Sequence, residues 1–167
     1  MDNLWAPWRM EYINDTRKGE KQGCVFCEMK EQKPDDKNLI LARGKHTYVL
    51  MNRFPYNSGH LLIVSYSHIA SLKDLSAEIQ QEMMWFMGES MDILKDVLKA
   101  QGFNCGLNAG AHAGGGIPDH IHWHVVPRWP GDTNFLPVLG NTRSMPEYLS
   151  ETYKRLEGKF KTLGRVS

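Results

Sequence analysis

Apolar residues along this chain fall into short runs of strand length, interrupted once by a long stretch of helical period. Leu39-Ile40-Leu41-Ala42 and Thr47-Tyr48-Val49-Leu50-Met51 are β-prone runs on either side of a hairpin-like break, Arg43-Gly44-Lys45-His46. A turn-rich connection from Asn52 to His60 leads into Leu61-Leu62-Ile63-Val64, which reads as a buried strand. From Ser76 to about Gln101, the residues Ile79, Met83, Phe86, Met87, Leu94, Val97 and Leu98 recur at helical spacing. Ser76 fits an N-cap, Glu78 favours the first turn, and Gly102 predicts the stop. Met83, Met84, Met87 and Met91 lie along this helix as core or as a contact surface. Phe103 to Leu107 predicts a further strand. Ser144-Met145-Pro146-Glu147 opens a terminal helix through about Leu163, with Lys154, Arg155, Lys159 and Lys161 on a solvated face. The charged stretch 28–38, which contains Pro34, and residues 136–143 read as loop.

One stretch carries chemistry. In Asp119-His120-Ile121-His122-Trp123-His124-Val125-Val126-Pro127-Arg128, alternation predicts a strand with three histidines on one face. Neighbouring imidazoles would stand roughly 6.5–7 Å apart, with Ile121 and Trp123 on the opposite face. Three of the chain's seven histidines within five residues are poorly explained as solvated or core side chains. A metal site and nucleophilic chemistry on phosphate are the two other accounts. The flanking Asn108-Ala109-Gly110-Ala111-His112-Ala113-Gly114-Gly115-Gly116 favours phosphate, since such a loop lets backbone N–H groups approach an anion. The plainer alternative is a flexible connection.

Cys24-Val25-Phe26-Cys27 supplies two sulfurs from one turn, which is half a tetrahedral site. No second Cys-x-x-Cys follows it, and no βαβ context supports a redox dithiol. Cys105, outside the pair, reads as a small buried residue.

At 167 residues and 41% hydrophobic, the chain is most simply one domain with a real core. Twenty basic against nineteen acidic residues leave a charge of +1, with no electrostatic case for nucleic acid or a membrane surface. There is no apolar run of roughly 18 residues. No signal-peptide core follows Met1, and three cysteines do not make a disulfide scaffold, so a cytoplasmic location is expected. Residues 1–23 carry Leu4, Trp5, Trp8, Tyr12 and Ile13. They read as an arm docked on the chain's own domain or on a partner subunit.

His-x-His-x-His, two apolar residues and Pro-Arg resemble the signature of the histidine triad (HIT) superfamily of nucleotide hydrolases and transferases. The likeness runs from about Cys24 to Phe135. The longer strings GFNCGLNAGAHAGGG and DHIHWHVVPRWPGDTNF resemble the bacterial diadenosine tetraphosphate phosphorylase branch. The resemblance implies an α+β fold, an antiparallel sheet with one long helix and a short C-terminal helix, in a two-fold dimer. Residues 24–143 would form the HIT domain, with 1–23 as the arm and 144–167 as the closing helix.

It further implies that His122 attacks the α-phosphate of an adenine dinucleotide. His124 bonds the phosphate or the bridging oxygen, and His120 holds the geometry or serves zinc. By the same pattern Asn52 and His60 meet the nucleotide, while Asn108, Gly114, Gly115 and Gly116 surround the phosphate. Cys24, Cys27, His68 and His120 match the zinc ligands of members that carry Cys-x-Phe-Cys. Many members place a Gln or Ser where this chain has Gly116. Trp129 is expected to close the pocket against water. The acceptor is orthophosphate in a phosphorylase and water in a hydrolase or phosphoramidase. A non-catalytic nucleotide-binding, zinc-stabilised protein is the remaining class, and His122 argues against it.

Overall fold

The computed structural model describes residues 23–132 and 145–163. The expected N-terminal arm, apart from Gly23, and the segment 133–144 with Phe135 lie outside the described residues. Helix α1 (Val25–Glu31) precedes strands β1 (Ile40–Arg43), β2 (Thr47–Met51) and β3 (Leu61–Ser65). Helix α2 (Ala77–Leu98), strands β4 (Gly102–Leu107) and β5 (His122–Arg128), and helix α3 (Leu149–Lys161) complete the order. The strands form one antiparallel sheet in the order β1-β2-β3-β5-β4. Among the described residues no helix is long and apolar enough to cross a membrane.

The sheet has two unlike faces, as alternation requires. Val49, Met51, Leu61, Ile63 and Val125 pack under α2, against Met83, Phe86, Met87 and Leu94. Each such side chain contributes roughly 1.5–3 kcal/mol by leaving water. Ile121 and Trp123 join this face, as the alternation predicted. Tyr48, Leu50, Leu62 and Val64 make a smaller cluster on the other face, closed by Phe26 of α1.

Local bonds fix the pieces. The buried Glu82 carboxylate of α2 accepts the Lys45 and His46 backbone N–H groups and the Thr47 hydroxyl, each at 2.8 Å. It thereby holds the β1–β2 turn. Gly44 in that turn leaves no room for a side chain, since a Cβ there would lie 2.6 Å from Phe86 Cε2. Arg43 ties α1 to the sheet through the Lys30 carbonyl at 2.7 Å and the Asp35 carboxylate at 2.8 Å. In α3, Tyr153 donates to the Ile40 carbonyl at 2.9 Å.

Several expectations need correction. The stretch 28–38 was read as loop, yet its first residues continue α1, which begins inside the cysteine pair and buries Phe26. Helix α2 ends at Lys99, in the left-handed conformation with φ 56°, and not at Gly102, which is already paired in β4. Cys105 is exposed, not buried, because β4 is an end strand. The basic side of α3 is exposed as expected, and from it Lys159 meets Asp96 at 2.8 Å and Arg155 reaches the Val97 carbonyl at 2.8 Å.

Candidate functional site

The β3–β5 ladder builds the site. Leu62 pairs with His124 and Val64 with His122, so both imidazoles stand on the face opposite α2. His120 lies just before β5, not in it, and the Ile121 N–H bonds the Ile69 carbonyl at 2.8 Å. His120 and His60 have no exposed surface, whereas His122 and His124 retain 7% and 8%. Of the four, only the last two keep any exposed surface.

Hydrogen bonds fix the tautomer of each ring. His122 Nδ1 lies 2.8 Å from the His120 carbonyl. A carbonyl only accepts, so Nδ1 carries the proton and the Nε2 lone pair is free. The Tyr56 backbone N–H donates to His60 Nδ1 at 3.0 Å. That forces the His60 proton onto Nε2, which donates to His124 Nδ1 at 2.9 Å. His124 therefore carries its own proton on Nε2. The free side of the pair is thus one lone pair, on His122, beside one N–H donor, on His124, with ring centroids 5.0 Å apart.

Burial pushes all these imidazoles below their ordinary range, because a charged ring loses water. His60 falls to about 3, with neighbouring His124 and His122 adding to burial. His124 falls to about 4, from burial and then His122. His122 is lowered by burial, partly offset by the His120 carbonyl. At neutral pH each is uncharged, which leaves the His122 lone pair available for attack.

The sequence-predicted residues do not all converge. Asn108 Nδ2 comes within 3.5 Å of His124 Nε2, so this amide borders the open edge of the His124 ring. Asn52 is used internally: its Oδ1 accepts the Phe54 N–H at 3.0 Å and its Nδ2 faces His60 Nδ1 at 3.3 Å. Asn52 thus braces His60, which in turn orients His124. Gly114 takes φ 82°, and a Cβ at Gly115 would lie 3.0 Å from the Gly110 carbonyl oxygen, so the loop folds tightly on itself. Gly116 follows directly. Trp129 continues the β5 alternation onto the helix face, where its indole N–H donates to the Leu98 carbonyl at 3.1 Å. It braces α2 and does not close the histidine pocket.

Two aromatic residues escaped sequence reasoning. Phe26 sets its ring centroid 4.9 Å from His122 and 5.4 Å from His120. Tyr56 stacks on His124 at 5.5 Å and 17°. Their only sequence signal is adjacency, inside Cys24-x-x-Cys27 and inside the Asn52–His60 turn.

Cys24, Cys27, His68 and His120 come together with their ligand atoms all within 4.8 Å. His120 Nε2 donates to the Ser65 carbonyl at 2.9 Å, which turns the Nδ1 lone pair toward Cys24 Sγ at 3.2 Å and Cys27 Sγ at 3.6 Å. His68 Nδ1 lies 3.4 Å from Cys27 Sγ. Tetrahedral zinc with ordinary bond lengths separates sulfur and nitrogen by about 3.5 Å, so the donor set fits the ion. Burial and then the Cys24 sulfur push the Cys27 thiol up, an effect a cation would reverse.

Comparison with known proteins adds four findings. The HIT domain pattern matches residues 33–131. A Mycobacterium tuberculosis protein named AP-4-A phosphorylase is 38% identical over 93% of this chain and 83% of its own length. A Schizosaccharomyces pombe bis(5'-nucleosyl)-tetraphosphatase (asymmetrical) is 27% identical over 56% of this chain and 50% of its own. Among solved structures, a zinc-bound histidine triad family protein from Mycobacterium smegmatis superposes with a TM-score of 0.68 at 25% identity. It covers 86% of this chain and 97% of that one.

Proposed function

The chain belongs to the HIT domain family, and from that premise we propose that it cleaves dinucleoside polyphosphates of the diadenosine tetraphosphate type and passes the adenylyl group to orthophosphate. The observation that carries this reading is the free Nε2 lone pair of His122, fixed by the 2.8 Å bond from Nδ1 to the His120 carbonyl.

His122 Nε2 attacks an α-phosphorus. A P–N bond forms, the bridging P–O bond breaks, and ATP leaves with that electron pair. The His124 Nε2–H bonds the bridging oxygen as its charge grows, an interaction stronger in the transition state than before it. The adenylated imidazole is cationic, and the His120 carbonyl, which already accepts its Nδ1–H, stabilises it. An oxygen of orthophosphate then attacks the same phosphorus and the P–N bond breaks. ADP departs and His122 regains its lone pair. Asn108 borders His124, and the loop it opens, through Gly114–Gly116, is the proposed seat of the phosphates. Phosphate rather than water as acceptor rests on likeness to the Mycobacterium tuberculosis relative, which is named a phosphorylase. Water as acceptor, giving AMP, is the second reading, favoured by the relative named as a tetraphosphatase.

Zinc at Cys24, Cys27, His68 and His120 is part of the proposal. When bound it cross-links α1 to the start of β5. A reduced cysteine pair fits the cytoplasm. A homodimer is supported by β4, an end strand of the sheet, and by Met84 and Trp85, 55% and 37% exposed on α2.

The test is product analysis as orthophosphate is varied. ADP and ATP in equal amounts, at a phosphate-dependent rate, support the phosphorylase. AMP and ATP at a phosphate-independent rate make the protein a hydrolase.

A further inference from the structure

We propose that Tyr56 is a positioning residue for His124: its main chain sets the proton placement of the His60–His124 pair, and its ring clamps the plane of the His124 imidazole. The inference rests on the reading of His124 as the donor to the bridging oxygen.

Three separate contacts converge on this residue. Its backbone N–H donates to His60 Nδ1 at 3.0 Å, so His60 can only pass an Nε2–H to His124. Its ring lies over His60, with centroids 4.6 Å apart. It also stacks on His124 at 5.5 Å and 17°, an offset-stacked distance. His122 also meets His124, with centroids 5.0 Å apart and the rings tilted by 56°. His124 is thus held by the Tyr56 stack and by the bond from His60 Nε2 to its Nδ1, which together set the direction of its Nε2–H.

The segment carrying Tyr56 is anchored at both ends. Asn52 Oδ1 accepts the Phe54 N–H at 3.0 Å. Asn57 Nδ2 donates to the Pro127 carbonyl at 3.1 Å and to the Asp132 carboxylate at 2.9 Å, at the far end of β5. Gly59, at φ 73°, sits so close under α2 that a Cβ would lie 2.5 Å from Leu98 Cδ1. The ring itself stays 42% exposed, so its burial is not what keeps it in place. Clamping an N–H donor within a fixed cone is what transition-state hydrogen bonding demands, since small misplacements are costly.

The ring also keeps water off one side of His124, which helps hold that imidazole neutral. The titratable groups facing His124 are His60, His122 and Tyr56, and none of them is a carboxylate.

The experiment uses the full-length, metal-loaded protein and its Tyr56→Phe and Tyr56→Ala variants, each with 15N-labelled histidine. Two quantities are read: the kcat and KM for diadenosine tetraphosphate, and the 15N shifts of His124 between pH 5 and 8. Tyr56→Ala should lower kcat roughly 10- to 100-fold, a fraction of what a placed proton donor supplies, with KM within about 3-fold. Its His124 should begin to titrate toward the ordinary value of about 6.5. Tyr56→Phe should keep both readouts near wild type. A Tyr56→Ala protein with kcat within about 3-fold of wild type overturns the proposal. So does an unchanged His124 15N signature in that variant, whatever happens to the rate. If the wild type leaves diadenosine tetraphosphate intact, the functional reading fails and the 15N signature alone decides the role of Tyr56.

Discussion

His120 holds His122 through its carbonyl while presenting its own imidazole to two cysteines: the His122 Nδ1 to His120 carbonyl distance is 2.8 Å, and His120 Nδ1 stands 3.2 Å from Cys24 Sγ. The proposed metal ligand and the proposed nucleophile are therefore two residues apart along the chain and one hydrogen bond apart in space. Phe26, between the cysteines, adds a second link by packing on both rings.

From that coupling follows the prediction that zinc bound at the proposed site also orders the histidine pocket. Protein purified without a histidine tag should hold close to one zinc per chain. Chelation under reducing conditions should lower the melting temperature by at least about 5 °C, as a loss of a few kcal/mol would in a domain of this size. The His122 15N signature should broaden at the same time. Absence of zinc with Cys24 and Cys27 both freely titratable would defeat the assignment.

His122→Ala should abolish turnover, by at least about 10³-fold, because no other group offers a lone pair at that position. Nucleotide binding should stay within a few-fold, as a titration with a slowly cleaved analogue would measure. Substantial activity in the folded variant would remove the covalent mechanism. His122→Gly with added imidazole should recover part of the rate.

Asn52 separates two readings of one residue. As a ribose ligand, its loss would raise KM. As the structure places it, Asn52→Ala removes the brace on His60 and frees the Phe54 N–H. The expected result is a kcat lower by about 10-fold at nearly constant KM, with about 1 kcal/mol of stability lost for the missing hydrogen bonds. A steady-state comparison with a urea melt decides the matter.

The sheet, the long helix and the histidine face were legible because period-2 and period-3.6 patterns report which side of an element is buried. Cys24, Cys27, His68 and His120 could be grouped only by resemblance, since 93 residues separate Cys27 from His120 and spacing says nothing over that range. The internal bonds of Asn52 were not legible for a different reason. An amide offers donor and acceptor alike, and only coordinates tell whether it turns to a ligand or to its own loop. Trp129 shows the limit of motif reasoning: its place beside the triad in sequence says nothing about its face, which alternation along β5 sets opposite to His124. Tyr56 has no periodic signal, because turns have none.

The buried imidazoles also leave a mark on stability. His60 and His124 fall to about 3 and about 4 in the folded protein, against about 6.5 in an unfolded chain. Below pH 6.5 the unfolded chain takes up protons that the folded one refuses, so acid favours unfolding. Stability from this source is complete above about 6.5 and declines as pH falls from there toward about 4. The slope is up to about 1.4 kcal/mol per pH unit for each ring. The groups packed on His60 are His124 and Tyr56, so no acidic partner opposes the trend there. His60→Gln, which keeps a polar side chain without a titrating ring, should reduce the pH dependence between 7 and 5 by close to one proton. Urea melts of both proteins at pH 7, 6 and 5 would measure it. Parallel slopes for the two would mean that His60 protonates as readily folded as unfolded, and would undo the tautomer assignment that runs from Tyr56 through His60 to His124.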